Sequence, residues 1–528
     1  MFKLVKFHAK RIIRTPFWGI TFLILAVCLL VFSLFCGQAY HPINYIVQFD
    51  SFYTYIELFL IPLVFCEATW AALQTSSIER ICLYSNAQIS LGKALGILCS
   101  SSLYLLLPII FVIVSAFFTQ TGFAYSMEAL IYLAARWAGL ISVSQCTAIL
   151  CVYLFKRPAV FILCLPATVI FSYLNQYLFS WFVLPDSKIP SLFSMQRSNM
   201  HGVAIDYAGA RLDAFLISKI GYIAVGILAI LSLIWLITAA RKRIPAIVLA
   251  VLILAEGFCI QNWVDLYPKS YTYNEKMADA FEGDPAVSIL SYSGEIKLSE
   301  RVSVNCDVVL SSAPQQPLRF RLDECFEIEQ ITNGSADLPY ERSGDFVTVD
   351  AAGSGGDTAL LTMTYSGRVY YESDADVINI FSTRRSAALP APFAFLPTID
   401  GDVSVKRYDL SVNAFNTLIS NLDVEKVDQN SYSVQGESIT CSLFSGYFTE
   451  YEQDGIIFYR ALYNQSTDYD TVYEWSKELR YYDLFAQSLT EGQHKTPSKV
   501  FMIYALYGAA GFPIVIDDYV LLNYGYPV

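Results

Sequence analysis

The apolar positions of the first 264 residues form seven long runs, whereas those after Tyr267 are short and alternate with polar residues. A run of about 20 apolar residues is long enough to cross the hydrocarbon core of a bilayer as a helix. The predicted spans are Phe17–Cys36, Thr54–Leu73, Leu95–Phe118, Ala129–Phe155, Ala159–Leu184, Leu216–Ala239 and Ile244–Val264. The pattern therefore predicts an α-helical membrane bundle of about seven transmembrane helices.

The rest of the chain has the pattern of a mainly-β, sandwich-like domain, with Pro, Gly, Asn and Asp between short β-branched runs. The predicted strands are Val287–Tyr292, Val302–Leu310, Leu318–Ile331, Phe346–Val349, Ala359–Tyr365, Val377–Ser382, Tyr408–Ala414, Val424–Val427, Ile439–Phe444 and Ile456–Tyr463. Helical periodicity returns only at residues 472–489. We expect an interfacial helix over 1–16, a membrane domain over 17–264, a linker over 265–285, a β-domain over 286–465 and an α/β segment over 466–528.

Charge divides the chain at the same place. Of its 35 Lys and Arg and 47 Asp and Glu, residues 1–264 carry 17 and 9, which leaves 18 and 38 for residues 265–528. An acidic second half argues against nucleic acid as a partner. Twelve cysteines are present, mostly in apolar runs, where they act as small hydrophobic residues; Cys306 and Cys325 could pair.

Basic residues flank the spans in a way that predicts orientation. They occur in the N-terminal segment, at Lys156 and Arg157 after the fourth span, and at residues 241–243 after the sixth. Because Lys and Arg are enriched on the cytoplasmic side, these flanks belong inside, and an odd number of spans puts the β-domain outside the plasma membrane. Residues 2–14 are either a helix along the inner interface or simply a positively charged flank.

Charged residues inside the spans are costly in lipid, so Glu57, Glu67, Arg136 and Glu256 should face the bundle interior. Arg136 and Glu256 lie at similar predicted depths and can pair, and Glu57 is the rival partner. Such a pair either locks helices together or contacts a substrate. Lys219, at the outer edge of its span, can reach the membrane surface.

The inner loop SSIERICLYSNAQISLGK, together with the basic N-terminus and about six spans, resembles the permeases of ABC-2-type exporters. The resemblance implies that Glu79, Arg80 and Lys93 belong to a loop that couples the permease to its ATPase; a plain cytoplasmic turn is the alternative. Gly92 and Gly96 have close-packing spacing. The sequence contains no G-x-x-x-x-G-K-[ST] motif, so a separate ATP-binding subunit is implied, as is a homodimer or heterodimer with a second permease in the lipid bilayer.

The stretches ITNGSADLPYERSGDFVTVD, LLTMTYSGRV, LPAPFAFLPTIDG, LISNL and FSGYF resemble, in their order, the N-terminal β-domain of M1 aminopeptidases. That family's zinc is held by an H-E-x-x-H motif, which does not occur here. His494 is the only histidine of the outer half, and YGAAGF at 507–512 stands where a substrate-binding G-x-M-E-N loop is expected. We therefore expect no catalytic or metal-binding residues, no cofactor and no enzyme activity.

Three functions follow from these observations. The first is an exporter permease with an outer domain that binds a substrate or partner. The second is an inactive or truncated membrane-anchored metallopeptidase, because the chain ends before the zinc helix would begin. The third is a membrane sensor or immunity protein. Acidic pairs such as Asp400 and Asp402 are expected to be solvated loop charges.

Overall fold

The structure is a computed structural model of the whole chain. It describes residues 1–528 except 40–44, 75–83, 120–121, 156–157, 173, 181–187, 194–211, 271–284, 313, 315, 335, 351–357, 373–379, 392, 454, 463–497, 503–513, 517–518 and 523–528. The chain divides into a helical unit, Met1–Ala204 with Ala214–Tyr267, and a β-rich unit, Ile205–Asp213 with Pro268–Val528. Each is described by itself.

The helical unit follows the long apolar runs of the sequence. Its helices are α1 Phe2–Ile13, α2 Pro16–Ala39, α3 Tyr45–Leu73, α4 Asn86–Ser101, α5 Leu106–Thr119, α6 Phe123–Phe155, α7 Cys164–Phe171, α8 Asn175–Ser180, α9 Ile189–Phe193, α10 Ala214–Thr238 and α11 Arg243–Asp265, with 3-10 turns at Ser102–Leu105 and Pro158–Leu163. Within the described residues, five helices are long and apolar enough to cross a membrane, or six if α1 and α2, which meet at 67°, form one bent span.

The predicted fifth span, Ala159–Leu184, is not one continuous helix. Its described residues form a 3-10 turn and two short helices, and the apolar stretch ends at Phe171. Pro166 cannot donate a backbone hydrogen bond near the start of α7, and Ser172 is extended where α7 ends. The Asn175 side chain donates to the carbonyl of Ile170, 3.0 Å away, which satisfies a backbone group at the break. Helical periodicity alone did not predict this interruption.

One end of the helical unit collects the helix ends that carry the basic flanks. A single buried cluster contains Ile12 of α1, Ala72 of α3, Val152 of α6 and Ile234 of α10. Because Ile12 lies beside Arg11 and Arg14, and Ile234 precedes the basic residues at 241–243, these basic flanks gather toward this end. We call it the basic end.

The opposite end of the unit is aromatic. Trp263 of α11 packs against Phe215, Tyr222 and Tyr267, with ring centroids 5.2–5.7 Å apart. The Tyr222 hydroxyl donates to the carbonyl of Leu192 in α9 at 2.9 Å. Val160 belongs to the basic-end cluster, whereas α9 lies at this aromatic end.

The β-rich unit begins after α11. Its described strands are β1 Lys269–Ser270, β2 Ile289–Lys297, β3 Val302–Leu310, β4 Leu318–Arg321, β5 Phe326–Thr332, β6 Tyr340–Ser343, β7 Phe346–Val349, β8 Ala359–Gly367, β9 Tyr370–Glu372, β10 Ile380–Ser382, β11 Ala387–Leu389, β12 Lys406–Asn413, β13 Thr417–Ser420, β14 Asp423–Asp428, β15 Ser431–Ser438, β16 Leu443–Gly446, β17 Phe448–Gln453, β18 Ile456–Ala461, β19 Lys499–Met502, β20 Ile514–Ile516 and β21 Tyr519–Leu522.

These strands form four sheets in the described part of the chain. The largest has the order β14-β15-β12-β2-β3-β8-β5, in which β2 and β12 are parallel and the other neighbours antiparallel. The others are β1-β9-β10-β11-β16-β13, β17-β18-β19-β21-β20 and β4-β7-β6. Alternating burial along β3 and β12 puts one face of the largest sheet on the core and leaves the other exposed.

Two of the predicted strands differ from the observed ones. The run Leu318–Ile331 is broken into β4 and β5, because the Arg342 guanidinium donates to the carbonyls of Leu322, Asp323 and Phe326 between them. The run Ile439–Phe444 is extended only from Leu443, and β15 was not predicted. The predicted helix at 472–489 lies outside the described residues.

Candidate functional site

At the basic end, the N-terminal helix α1 packs against α4. Its buried residues are Leu4, His8 and Ile12, which follow one another at four-residue spacing on one face. Gly92 and Gly96 of α4 allow the close approach. A Cβ at Gly96 would lie 2.5 Å from the His8 Cβ, and one at Gly92 would lie 3.0 Å from the Leu4 Cβ. The two glycines therefore form the groove in which α1 lies.

Lys93 lies between those two glycines on α4 and connects α4 to the C-terminal end of α3. Its ammonium donates to the carbonyl of Gln74 at 2.7 Å and to that of Ala72 at 3.4 Å, at the C-terminus of α3. A cation there also complements the negative end of the helix dipole. Arg11 of α1 donates to the Gln74 side chain at 2.8 Å. Lys93 is buried and holds the C-terminal end of α3, where the inner loop begins.

The loop itself is only partly described. Glu79 and Arg80, the other two predicted coupling residues, lie outside the described residues. Where the chain becomes described again, Ser85 and Gln88 form a capping box that starts α4, with hydrogen bonds of 3.3 and 3.0 Å. The loop is therefore held at one end by a helix cap and at the other by Lys93.

Inside the helical unit, the guanidinium of Arg136 forms an ion pair with Glu57, with Nη2 and Oε1 3.1 Å apart. The sequence favoured Glu256 as the partner, and that preference is wrong. Helix α6, which carries Arg136, packs directly against α3, whereas α11, which carries Glu256, packs along α10. Glu256 lies against Gly226 of α10, where a Cβ would be 3.2 Å from the carboxylate Oε1.

Two further buried acids lie on these helices. Helix α6 starts at Phe123, six residues before the predicted span, so Glu128 belongs to the helix and is buried. Glu67 of α3 is fully buried and accepts a hydrogen bond from the Tyr104 hydroxyl. The Tyr104 ring stacks on Trp18 of α2, with centroids 5.5 Å apart. Glu67 is therefore tied to two neighbouring helices.

In the β-rich unit, a cavity of about 50 Å³ lies beside the start of β12. Its polar lining comes from Asp402, Lys406, Tyr292 and Tyr408. The two tyrosine rings are stacked 5.2 Å apart, and the Tyr292 hydroxyl donates to the carbonyl of Pro397 at 2.7 Å. This volume has room for a few water molecules but not for a peptide or a lipid.

Lys406 and Asp402 are both buried beside that cavity. The ammonium donates to the carbonyls of Ser404 at 2.8 Å and Asp402 at 3.0 Å, and lies 3.5 Å from Asp402 Oδ2. The same carboxylate accepts from the backbone N–H of Ile289 at 2.8 Å. Burial lowers the pKa of Lys406 below its ordinary value, and the Asp402 charge opposes part of that shift. The pair holds the loop 399–405 against β2.

The expectation that Asp400 and Asp402 are solvated loop charges is therefore wrong. Asp400 Oδ1 accepts from the Arg321 guanidinium at 2.7 Å, and Asp402 is buried. The signal in the sequence was the spacing of Asp402 and Lys406, which lie four residues apart in the stretch LPTIDGDVSVK with Val403 and Val405 between them. A lysine in such a stretch needs a partner when it is buried.

A second buried polar cluster surrounds Asp323, in the turn between β4 and β5. Its carboxylate accepts from the Tyr371 hydroxyl and from the backbone N–H of Cys325. Burial raises the pKa of both the Tyr371 phenol and the Cys325 thiol. Cys325 and Cys306 are free cysteines, and burial raises the pKa of the Cys306 thiol to about 12. These thiols are poor nucleophiles.

A zinc ion does not fit the part of the chain that the structure describes. No group of three or more His, Cys, Asp or Glu side chains there is arranged as metal ligands. The positions at which the resemblance to M1 peptidases would be tested most directly, His494 and residues 507–512, lie outside that part. We derive no metal-dependent step.

Comparison with known proteins gave matches only among solved structures: no family model and no curated protein matches the sequence. Yeast leukotriene A4 hydrolase is 12% identical with a TM-score of 0.33, and the match covers 45% of this chain and 40% of the hydrolase. The complex of the yeast hydrolase with bestatin is 9% identical with a TM-score of 0.31, and the match covers 45% of this chain and 40% of the hydrolase. An M1 zinc metallopeptidase from Deinococcus radiodurans is 9% identical with a TM-score of 0.34, and the match covers 46% of this chain and 61% of the metallopeptidase.

These neighbours belong to the family that the β-domain sequence resembles, and the chain spans less than two thirds of each of them. The expectation that the chain is not an enzyme is therefore wrong. It rested on a missing zinc motif, and the matched structures are metallopeptidases and a hydrolase. A motif missing from a chain that spans only part of its relatives does not decide the activity of the whole protein.

Proposed function

We propose that this chain is the permease subunit of an ABC-type exporter, with its helical unit in the plasma membrane. The observation that carries the proposal is the basic end. There an amphipathic N-terminal helix packs in the groove of Gly92 and Gly96, beside an inner loop that Lys93 anchors. This arrangement offers a separate ATP-binding subunit a rigid helix and a short loop side by side.

The orientation is part of the same proposal. The basic flanks lie toward one end of the helical unit, and Trp263 with its aromatic neighbours lies at the other. Because Lys and Arg are retained on the cytoplasmic side and Trp and Tyr favour membrane interfaces, this supports a cytoplasmic N-terminus and an outer β-rich unit.

Export also requires a second permease and a cargo. Helix α11 exposes Leu254 and Phe258 over about three quarters of their surface, which suits lipid or the helices of a dimer partner, either a second copy or another permease. A path between two such subunits would take a hydrophobic, peptide-like or lipid-like substrate. The β-rich unit would bind a substrate or a partner on the outer side.

Affinity purification of the full-length chain from its native membranes tests the proposal. We expect a protein with a P-loop motif to co-purify, and the complex to hydrolyse ATP. Glu79→Lys should abolish co-purification while the purified chain keeps its thermal unfolding temperature. If no ATPase co-purifies with the wild type, or if Glu79→Lys retains it unchanged, the result would count against a permease.

A membrane-anchored peptidase of the M1 type is the second candidate. It is favoured by the stretches of the sequence that resemble that family, most of which lie at the end of β5 and in β6, β7, β8, β13 and β16 of the β-rich unit, in the same order. Release of an amino acid from a fluorogenic aminoacyl substrate by the purified full-length chain, inhibited by a zinc chelator, would favour this candidate over the permease.

A further inference from the structure

Three helices of the helical unit meet where one of them is irregular. Helix α4 ends at Ser101, and Ser102–Leu105 form a 3-10 turn before α5 begins. A 3-10 stretch in the middle of a long helix often marks a functional position, and membrane transporters bind ions at such interruptions. One face of this turn is buried, at Ser101 and Tyr104, whereas Ser102 is exposed.

Two side-chain hydrogen bonds reach this turn from either side. The Tyr104 hydroxyl donates to Oε2 of Glu67 on α3, and Gln145 of α6 donates through Nε2 to the hydroxyl of Ser101. Ser101 and Tyr104 are three residues apart, so both bonds meet the same face of the helix. All four side chains are buried.

Oxygen atoms of Glu67 and Gln145, and of Ser144 beside Gln145 in the sequence, lack partners within the described residues. They are Oε1 of Glu67, Oε1 of Gln145 and Oγ of Ser144, each inaccessible to water. A buried acceptor without a donor is costly, and a buried carboxylate costs more. The two Glu67 oxygens therefore differ: Oε2 is satisfied by Tyr104, whereas Oε1 is not.

The described cations of the neighbouring helices do not neutralise Glu67. Arg136 is paired with Glu57, ten residues from Glu67 on α3, or about 15 Å along the helix. Lys93 donates to carbonyls at the basic end and lies eight residues before Ser101, or about 12 Å. Glu67 thus lies along the helices between the Arg136–Glu57 pair and Lys93, too far from either cation to pair with it.

We propose that Glu67, with Gln145, Ser144 and Ser101, binds one sodium ion inside the helical unit. Every candidate ligand is an oxygen, the type that hard cations prefer. One carboxylate balances a single positive charge, so a divalent ion would leave an excess positive charge buried inside the helical unit. A proton on Glu67 would satisfy one oxygen, whereas a metal ion satisfies several acceptors at once. The site does not depend on the proposed exporter function.

The test uses the purified full-length chain in detergent. Its thermal unfolding is measured in sodium chloride, potassium chloride and choline chloride at equal ionic strength and pH, together with binding of radiolabelled sodium. We expect sodium to raise the unfolding temperature by roughly 3 °C over choline, because a ligand that binds only the folded state stabilises it. Glu67→Gln, which keeps the shape of the side chain, should abolish both the rise and the binding.

Ser102→Ala is the matched control, because the Ser102 hydroxyl donates to the carbonyl of Cys99 in its own helix. It should keep the sodium response of the wild type. If Glu67→Gln does not fold, Gln145→Leu provides the same test with the carboxylate retained. The proposal is overturned if the unfolding temperature of the wild type is the same in the three salts, or if the variants keep the full sodium response. It is also overturned if Glu67→Gln changes only the pH dependence of unfolding and not the sodium response.

Discussion

The guanidinium of Arg136 and the carboxylate of Glu57 lie 3.1 Å apart, with both side chains almost wholly buried in the helical unit. The pair joins α3 to α6. Removing one partner of a buried ion pair leaves an uncompensated charge, which costs about 3–5 kcal/mol.

We therefore expect Arg136→Met and Glu57→Gln each to lower the unfolding temperature and the yield of folded chain. The exchange of the two residues, Glu57→Arg with Arg136→Glu, should recover most of the loss, because it restores the opposite charges. Fluorescence-detected gel filtration of heated samples measures both the unfolding temperature and the yield of folded chain. Exchange of Arg136 with Glu256 is the control, and recovery by that pair instead would refute the assignment.

The contact between Gly96 and His8 predicts a steric effect. Gly96→Ala places a methyl group 2.5 Å from the His8 Cβ, so α1 must move away from α4. Overpacking of this kind costs about 1–3 kcal/mol. We expect lower thermal stability and, if the exporter proposal holds, weaker co-purification of the ATPase. Gly221→Ala in α10, where nothing lies within 4 Å, is the matched control and should behave as the wild type.

Lys93 gives a prediction for the inner loop. Lys93→Met removes the donor from the Gln74 and Ala72 carbonyls, so the C-terminus of α3 loses its cation and the loop 75–83 loses an anchor. We expect faster cleavage of the loop in limited proteolysis and a free energy of unfolding that is lower by roughly 1–3 kcal/mol. Lys242→Met, at an exposed position between α10 and α11, should leave the cleavage rate unchanged. Equal rates in the two variants would contradict the anchoring role.

Lys406 makes the stability of the β-rich unit depend on pH. Its pKa in the folded chain lies below its ordinary 10.5, so between these two values the unfolded chain binds the additional proton. Stability conferred through Lys406 therefore rises with pH in that window and is lowest below it. Lys406→Met should flatten this rise, as seen in thermal unfolding of the full-length chain across alkaline pH. Parallel curves for the two proteins would refute it.

Asp402→Asn is the complementary change. The Asp402 charge favours the protonated lysine, so its removal should lower the pKa of Lys406 further and move the rise in stability to lower pH. An unchanged position of the rise would mean that the carboxylate does not act on the lysine.

Much of the architecture was predictable because it depends on local pattern. Long apolar runs predicted α2, α3, α6, α10 and α11, and the single run Leu95–Phe118 covered the end of α4 together with α5. Alternating residues predicted β3, β7 and β12 close to their observed bounds. The run Leu318–Ile331 was predicted as one strand, and contacts with distant residues, those of Arg342 among them, divide it. A side chain that bonds three carbonyls from another strand leaves no periodic signal in the segment that it breaks.

The amino-acid order alone was sufficient for the division into an apolar, basic half and an acidic, β-rich half, since length, hydropathy and charge are local properties that water and lipid act on directly. The partner of Arg136, the burial of Asp402 and Lys406, and the interruption at residues 158–180 were decided by packing between segments far apart in the chain. Ion pairs and buried acceptors are satisfied by whichever element lies within about 3 Å, and that neighbour is known only once the helices and sheets are assembled.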